Sequence, residues 1–585
     1  MKRSFLAFLF LLVSCVSARA PEPVHVVIVA TTDLHGWFNG HVESRKPGEQ
    51  GVLWGGLPVL SSYVSRLRDE NPGHVLLVDS GDMWQGTLES NLHEGEPVVH
   101  AYNMLRYAAA AVGNHEFDYG PVGPSPIPRK PEDDPHGALK KNAAIADFPL
   151  LSANMIDKTT GRVPPWAEPS TIVRVGGARI GIIGLSTPDT PNVTMHANVL
   201  TLDFTDPVEA TIKAAADLRA KGVDAVIVIA HIGGRCTKTD EPHSLESCDR
   251  QQEAMDFLAR IPPGTIDAFF GGHTHAQMRH FVNGIPTAQA LAYSREFSTM
   301  DLWVDTAHDR VLQDRTVIRP PTMICSYVYE GTEQCDPRRA GDGAKLVPRV
   351  FDGKTITPDA KLAQMIDPYL KRVAQKRGEK LGVKTADRFA RAYSGESTIG
   401  DLLTDLMREA SGADLAFMNS GGIRADLPAG DLAYSDVFEV SPFDNYPAVV
   451  QLTGKQIVES LQATTGGQRG ILQVSGLRYT IDAAKDADKP PAEKRRVVDV
   501  KLASGEALDP AKEYKVVMPD FIAAGGDGMM DVMSGVPQDH IAINYGKPIR
   551  DVVAELLRAR AGKTLVPRLE GRVTILNQEK APAEH

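Results

Sequence analysis

The sequence has few cysteines, few aromatic residues and no apolar run long enough to cross a bilayer. Of 585 residues, 5 are cysteine and 6% are aromatic. Lysine and arginine total 63 against 74 aspartates and glutamates, so the formal net charge is −11. Proteins that bind nucleic-acid backbones need clustered positive charge, so we expect no nucleic-acid partner. With 42% hydrophobic and 23% charged residues, the composition is that of a folded globular protein.

The chain begins with the pattern of an export signal, predicted to occupy residues 1–20. Two basic residues precede the apolar run at 5–13, which is much shorter than the roughly 20 residues of a membrane-spanning helix. Two processing sites are open. Residues 18–20 have the small-residue pattern of ordinary cleavage, whereas 12–15 resemble a lipobox in which Cys15 receives a lipid anchor. We therefore predict an exported protein, in the periplasm or as a lipoprotein of the outer membrane or cell surface.

The four remaining cysteines form two pairs that are close in sequence. Cys236 and Cys248 bracket one polar loop, and Cys325 and Cys335 bracket another. In an oxidising compartment such pairs form local disulfides, which agrees with export. Free thiols are the alternative, and the absence of a CxxC partner argues against a structural zinc site.

Five short, mostly β-branched runs each lead into a polar cluster. The runs end near residues 29, 78, 112, 230 and 270. Stretches with helical spacing of apolar residues lie between them, for example at 207–221. Strands that alternate with helices predict an α/β layered domain, in which loops at strand ends bring side chains together.

The predicted organisation has two domains and a linker. Residues 121–137 are rich in proline and charge and are predicted to form a surface loop. An N-terminal domain is predicted at 24–320, an irregular loop and linker helix at 321–380, with the helix at 358–380, and a C-terminal α/β domain at 381–577.

Seven side chains in the polar clusters have the chemistry of metal ligands. Carboxylate oxygens, an amide oxygen and imidazole nitrogens together suit a dinuclear site for zinc or a transition metal. Each motif alone is weak evidence for metal binding; a D-x-H pair, for example, is usually a surface or capping pair. Their order along the chain, all at predicted strand ends, favours a metal site. The seven are Asp33, His35, Asp82, Asn114, His231, His273 and His275.

The order of these clusters resembles the calcineurin-like metallophosphoesterase superfamily, whose blocks are D-x-H, G-D, G-N-H-E/D, H and G-H-x-H. The string at 113–120 resembles the 5′-nucleotidase family specifically, and so do segments at 419–424, 441–445 and 521–528. The resemblance extends over about residues 24–577. It implies an α/β fold with an N-terminal metallophosphoesterase β-sandwich flanked by helices, a linker helix, and a C-terminal α/β substrate-binding domain.

The resemblance also implies two divalent cations, drawn from Mn²⁺, Zn²⁺, Co²⁺ and Mg²⁺, that share Asp82 as a bridging ligand. The first cation would be held by Asp33, His35, Asp82 and His275. The second would be held by Asp82, Asn114, His231 and His273. His115 would stabilise the transition state or protonate the leaving oxygen, with Asp118 orienting its imidazole. A structural capping bond is the alternative role of the His115–Asp118 pair.

In the C-terminal domain the resemblance implies a nucleotide site. A nucleobase needs flat apolar surfaces, and stacking on an aromatic ring is worth about 1–3 kcal/mol per base. Two phenylalanines would sandwich the base, an aspartate would accept from ribose hydroxyls, and an arginine would contact phosphate. The implied substrate-binding residues are Asn419, Arg424, Phe443, Asn445, Phe521 and Asp527.

Three positions depart from the family pattern. His275 stands where some relatives have glutamine or asparagine. Gly395 stands where relatives have an arginine, and the nearby Arg391 does not align with it. Asp444 replaces a glycine between Phe443 and Asn445.

The predicted function is hydrolysis of nucleoside 5′-monophosphates to nucleoside and phosphate by an exported dinuclear-metal enzyme. The sequence leaves the oligomeric state open, with a monomer favoured. UDP-sugars and nucleoside di- or triphosphates are further candidate substrates. One alternative is a 2′,3′-cyclic-nucleotide phosphodiesterase or related small-anion hydrolase. Another, from a different class, is a surface nucleotide-binding or adhesive protein, although pure binding needs no water-activating metal site.

Overall fold

The computed structural model describes residues 22–43, 51–123, 125–341, 343–465, 470–484 and 495–577. The predicted export signal and Cys15 lie outside these residues. Across the described ranges, none of the helices has both the length and the apolar character needed to traverse a bilayer.

Two β-sheets form the N-terminal part. The first sheet has the strand order Arg310–Val311, Glu296–Asp305, Val24–Thr31, Val75–Asp79, Ala109–Ala111 and Leu150–Leu151, with Val317–Ile318 and Thr322–Met323 also paired to Glu296–Asp305. The second sheet has the order Met278–Val282, Ile285–Gln289, Ala268–Phe270, Ala225–His231, Ala178–Ser186 and Ser170–Val175. The central strands of each sheet are parallel, so their carboxyl ends meet at one edge.

The alternation of side chains along these strands sorts apolar residues into three buried layers. In Val24–Thr31, Val26 and Ile28 pack between the two sheets, whereas Val27 and Val29 face the helices on the outer side. The first sheet is covered by the helices Leu57–Glu70, Glu96–Leu105 and Gly137–Ile145. The second is covered by Pro207–Ala220 and Glu253–Arg260. The predicted β-sandwich flanked by helices is confirmed.

Shorter elements complete the N-terminal part. The helices Leu88–Asn91 and Thr190–Val193 lie in loops at the strand ends. Two-stranded ribbons pair His41–Glu43 with Val52–Trp54, Met155–Asp157 with Leu202–Phe204, Tyr327–Tyr329 with Leu346–Pro348, and Val350–Phe351 with Lys354–Thr355. The last two ribbons lie in the stretch predicted to be irregular. Both predicted disulfides are present, Cys236–Cys248 and Cys325–Cys335.

The linker helix is Ala360–Arg377, shorter than the predicted 358–380. Asp359 caps its first turn by accepting hydrogen bonds from the N–H groups of Lys361 and Leu362. The helix ends at Gly378 because Lys380–Thr385 is a strand. Ile366 packs with the N-terminal helices, while Val373 packs in the C-terminal apolar cluster. The helix therefore contributes to both cores.

The C-terminal part is an α/β unit, as predicted. Its central sheet has the order Leu472–Ser475, Leu415–Asn419, Glu513–Pro519, Pro447–Thr453 and Ile541–Ile543. Two three-stranded sheets flank it, Gly430–Ala433 with Lys380–Thr385 and Thr564–Leu565, and Arg496–Leu502 with Leu477–Asp482 and Val573–Leu576. Within the described residues, its helices are Thr398–Ser411, Tyr434–Val440, Gly454–Ala463, Asp520–Ala523, Met530–Met533 and Ile549–Arg558.

Candidate active site

The seven predicted ligands lie at the carboxyl-terminal edge of the two sheets. Asp33 and Asp82 follow adjacent parallel strands of the first sheet, and Asn114 follows the next. His35 lies in the same loop as Asp33. His231 ends its strand in the second sheet, and His273 and His275 follow the neighbouring strand Ala268–Phe270. The sheets face one another, so ligands from both meet over the same edge.

The ligand atoms form two groups. Those of Asp33, His35 and His275 lie within 4.8 Å of one another, as do those of Asp82, His231 and His273. Oδ2 of Asp82 is 3.0 Å from Nε2 of His231 and 3.6 Å from Nε2 of His35. Asp82 therefore reaches both groups, which is the geometry of a bridging carboxylate.

Asn114 presents a buried amide oxygen that accepts no hydrogen bond within the described part of the chain. Its amide nitrogen donates to the carbonyl of Val193 at 3.0 Å, which fixes the orientation of the side chain. The neighbouring His115 N–H donates to Asp82 at 2.8 Å, so Asn114 lies beside the second group. An orphaned buried oxygen among imidazoles and carboxylates fits a cation ligand.

The electrostatics of two of these histidines fit cation binding. Burial lowers the pKa of His273 to about 3 and lowers that of His275 as well, which gives the neutral imidazoles that metals require. Burial acts on His231 in the same direction, but Asp82 raises its pKa to about 10. Nε2 atoms of His35 and His275 are 3.0 Å apart. Such convergent lone pairs need a proton or a cation between them.

The ligand loops hold strained backbone. Most of the predicted ligands have positive φ angles between 49° and 75°, a conformation that costs an L-residue about 1–2 kcal/mol. Hydrogen bonds between loops compensate, since the N–H groups of Asp33 and His35 donate to the carbonyls of Gly81 and Asp82, both at 2.9 Å. The residues with positive φ are Asp33, His35, Asp82, His273 and His275. Strain concentrated at one site is typical of function.

Two buried carboxylates that the sequence did not single out support these loops. Glu116 accepts from the N–H groups of Asp82 at 2.9 Å, Met83 at 2.7 Å and Gly113 at 2.6 Å. Asp79 accepts from the N–H of Gly81 at 2.8 Å and from the hydroxyls of Thr31 and Tyr102. Glu116 stands inside the motif string at 113–120, and this was the one sequence signal for its supporting role. No sequence signal indicated that Tyr102 would bind Asp79.

His115 and Asp118 are hydrogen-bonded. Nδ1 of His115 lies 2.6 Å from Oδ2 of Asp118, and Oδ1 of Asp118 accepts from Thr194 at 2.8 Å. Burial alone would lower the pKa of His115, but Asp118 and Asp82 raise it above its ordinary value. The pair therefore has the geometry of an oriented general acid, with Nε2 as the outward nitrogen.

Two predicted substrate residues from the C-terminal part reach these N-terminal loops. Nη2 of Arg424 is 3.4 Å from Nε2 of His35, and its guanidinium is 5.7 Å from the ring of Phe443. The Phe443 ring in turn lies 5.4 Å from the His115 ring. The structure thus brings the phosphate-contact and base-stacking candidates to the metal-ligand groups.

The remaining substrate candidates form a second set around two hydrogen bonds. Nδ2 of Asn419 donates to Oδ2 of Asp527 at 2.7 Å, and Nδ2 of Asn445 donates to Asp520 at 3.2 Å. Phe521 is half-buried and lies against Gly526, where an added Cβ would come within 2.4 Å of the ring. Only glycine leaves room for this phenylalanine.

Arg391 and Gly395, at the place where relatives have an arginine, both make hydrogen bonds within the C-terminal part. Arg391, which does not align with the family arginine, donates from Nη1 to the carbonyls of Ile423 at 3.3 Å and Arg424 at 3.1 Å. It therefore supports the backbone of the Arg424 loop. The carbonyl of Gly395 accepts from Gln473 at 2.9 Å.

Two family descriptions match the chain, "Calcineurin-like phosphoesterase" at residues 26–277 and "5′-nucleotidase, C-terminal domain" at 379–534. Cell wall protein Lmo0130 of Listeria monocytogenes is 26% identical over 97% of this chain and 71% of its own length. The 5′-nucleotidase of Vibrio cholerae is 26% identical over 93% of this chain and 92% of its own. The crystal structure of a 5′-nucleotidase precursor from Thermus thermophilus has a TM-score of 0.72 and 25% identity, covering 95% of this chain and 100% of that chain.

These matches confirm the family prediction made from the motifs, together with the predicted fold class. They cover both the ligand-bearing sandwich and the C-terminal α/β unit. Residues 26–277 form a calcineurin-like phosphoesterase domain, and residues 379–534 form a 5′-nucleotidase C-terminal domain.

Proposed function

We propose that this protein hydrolyses nucleoside 5′-monophosphates to nucleoside and phosphate, using two divalent cations. The observation that carries the proposal is the placement of Arg424 beside His35 and of Phe443 beside His115. The residues proposed for phosphate recognition, base stacking and acid catalysis are therefore close enough together to contact a single nucleotide. The relatives named as 5′-nucleotidases, from Vibrio cholerae and Thermus thermophilus, support the same substrate class.

The two ligand groups would hold the cations. One would be bound by Asp33, His35, Asp82 and His275. The other would be bound by Asp82, Asn114, His231 and His273. Bound there, the cations would bind phosphoryl oxygens and lower the pKa of an attacking water. The mixed nitrogen and oxygen donor set suits Zn²⁺, Mn²⁺ or Co²⁺ better than Mg²⁺, which prefers oxygen ligands alone.

The chain's own residues would bind the phosphate, orient the acid and protonate the leaving oxygen. Arg424 would donate to the phosphate oxygens with its planar guanidinium. When water adds to phosphorus and the bond to the 5′ oxygen breaks, Nε2 of His115 would give its proton to that oxygen. Asp118 holds Nδ1, which keeps the imidazole turned toward the substrate.

The nucleoside would lie on the C-terminal part. Phe443 and Phe521 would stack on the base, and Asp527 would accept from the ribose hydroxyls. Asn419 would orient Asp527 through their 2.7 Å hydrogen bond. Asn445 would stand at the edge of the base.

Phosphate release by metal-stripped protein after return of each cation tests this function. The substrates are AMP, UDP-glucose, ATP and 2′,3′-cyclic AMP. We expect release from AMP with at least one of Mn²⁺, Zn²⁺, Co²⁺ and Mg²⁺, and none without a cation. Faster turnover of 2′,3′-cyclic AMP than of AMP would indicate that the protein is a phosphodiesterase instead. Absence of release under all four cations would contradict it.

Replacement of the acid gives a second test. His115→Ala is expected to lower kcat for AMP by about 10²- to 10⁴-fold. The matched control is His308→Ala, because His308 is exposed and pairs with Asp305 at 2.8 Å with the same three-residue spacing. The control variant is expected to keep wild-type kcat.

We further propose that the protein is exported and processed near residues 15–20. The relative from Listeria is named a cell wall protein, and the two disulfides agree with an oxidising compartment. Mass spectrometry of the mature N-terminus distinguishes a lipidated Cys15 from cleavage after Ala20. An unprocessed N-terminus in the native host would exclude export through this signal.

A further inference from the structure

Arg550 makes an unusual set of contacts beside Phe443, a candidate base-stacking residue. It stands in the first turn of the helix Ile549–Arg558, and its side chain is only 11% exposed. Nη1 donates to the carbonyl of Phe443 at 2.8 Å and to that of Pro442 at 3.3 Å. Nη2 donates to Oδ1 of Asp444. One guanidinium thus binds three consecutive residues, and the middle one is Phe443.

The surroundings of Arg550 fix its own position. Its guanidinium lies 4.7 Å from the ring of Phe438, and Nε lies 3.4 Å from the hydroxyl of Tyr434. Asp444 supplies the opposite charge that a nearly buried guanidinium requires. The aspartate at this position, where the family pattern has glycine, is therefore the partner of Arg550.

The segment that carries Phe443 has no regular secondary structure, so its position depends on such contacts. The N–H of Ile549 donates to the carbonyl of Asn445 at 2.8 Å, and Nδ2 of Asn91 donates to the carbonyl of Pro442 at 3.0 Å. Arg550 is the contact that binds the carbonyl of Phe443 itself. A stacking ring gains affinity when its plane is fixed before the base arrives, because less conformational entropy is lost on binding.

We propose that Arg550 is a positioning residue for nucleobase recognition, acting through Phe443, with Asp444 as its charge partner. This inference rests on the proposed nucleotide substrate. It assigns Arg550 no part in the phosphoryl chemistry, since none of its contacts reaches the ligand groups or His115. Substrates that carry a base should therefore depend on Arg550, and phosphate esters without a base should not.

The test compares AMP with ribose 5-phosphate, which has the same 5′ phosphate ester but no base to stack, at one saturating cation, in wild type and Arg550→Lys. Lysine keeps the charge but loses the planar set of donors. Loss of one stacking surface predicts a rise of roughly 5- to 100-fold in KM for AMP. The kcat/KM for ribose 5-phosphate should stay within about twofold of wild type. Asp444→Asn should shift KM for AMP in the same direction.

Arg558→Lys is the matched control. Arg558 stands in the same helix and pairs with Glu379 at 2.7 Å rather than with the segment that carries Phe443. It should leave both substrates unchanged. A double variant makes the test specific. When Phe443 is already replaced by alanine, Arg550→Lys should raise KM for AMP little further, because the two residues act as one unit.

Several results would overturn the inference. They are an unchanged KM for AMP in both Arg550→Lys and Asp444→Asn, an equal loss on both substrates, or full additivity with Phe443→Ala. Calorimetric binding of adenosine to the same proteins separates this inference from the proposed function. Wild type that binds adenosine but releases no phosphate from AMP refutes the function alone. Wild type that does neither refutes both.

Discussion

Glu116 is one of the two buried carboxylates that support the metal-ligand loops, and Glu116→Gln tests its role. Oε2 accepts from the N–H groups of Asp82 and Gly113, and Oε1 accepts from Met83. A glutamine has one acceptor oxygen, so its NH₂ must face at least one of these donors. Leaving a buried N–H without its partner costs about 1–3 kcal/mol of folding stability. Displacement of Asp82 should weaken cation affinity by about 10- to 100-fold, as is typical for residues that orient metal ligands.

Glu396→Gln is the control for this experiment. Glu396 likewise accepts from three backbone N–H groups, those of Glu570, Gly571 and Val573, but in the C-terminal part. Both variants should lose similar stability in urea unfolding, and only Glu116→Gln should lose cation affinity in calorimetric titration of metal-stripped protein. Equal cation affinity in the two variants would refute the supporting role of Glu116.

Two further predictions concern regions away from the ligands. Leu88, from the short helix Leu88–Asn91, is 5% exposed and packs in the C-terminal apolar cluster. Leu88→Ala should lower the free energy of unfolding by about 2–5 kcal/mol and should also lower kcat/KM for AMP. The control is Leu200→Ala, which should change neither quantity because Leu200 is 55% exposed. Burial raises the pKa of Asp401 from 3.8 to about 8, against the opposing effect of Arg572. The folded state then binds more protons than the unfolded state between about pH 4 and 8, so this group makes stability fall as pH rises through that window. Urea unfolding at about pH 5 and about pH 8 should show a smaller difference for Asp401→Asn than for wild type, and an unchanged difference would contradict the assignment.

The sequence predicted the parts of the site that local pattern controls. Apolar runs such as 225–230 mark buried strands, and a polar cluster after a parallel strand must lie at the shared edge. The local pattern therefore predicts that the seven candidate ligands lie close together. Their motif order also predicted the family, which the comparisons confirm. The predicted roles of the individual site residues await the experiments described above.

The residue roles that the sequence did not reveal depend on contacts between distant segments. Arg391 supports a loop about 32 residues away, and Arg550 binds Phe443 across 107 residues. Neither belongs to a recognisable motif, and an arginine at a helix start is usually a surface residue. The linker helix ends before the predicted residue 380 because Lys380 begins a strand whose pairing depends on Gly430–Ala433. Such pairings cannot be read from local spacing.

The central claim is that seven side chains from both sheets hold two cations at one catalytic site. Elemental analysis of active protein, combined with phosphate release from AMP, tests it most directly. We expect about two divalent cations per chain, loss of activity on chelation and its return with added cation, and a lower metal content in Asp82→Asn. Full activity in protein that contains no divalent cation would contradict the claim.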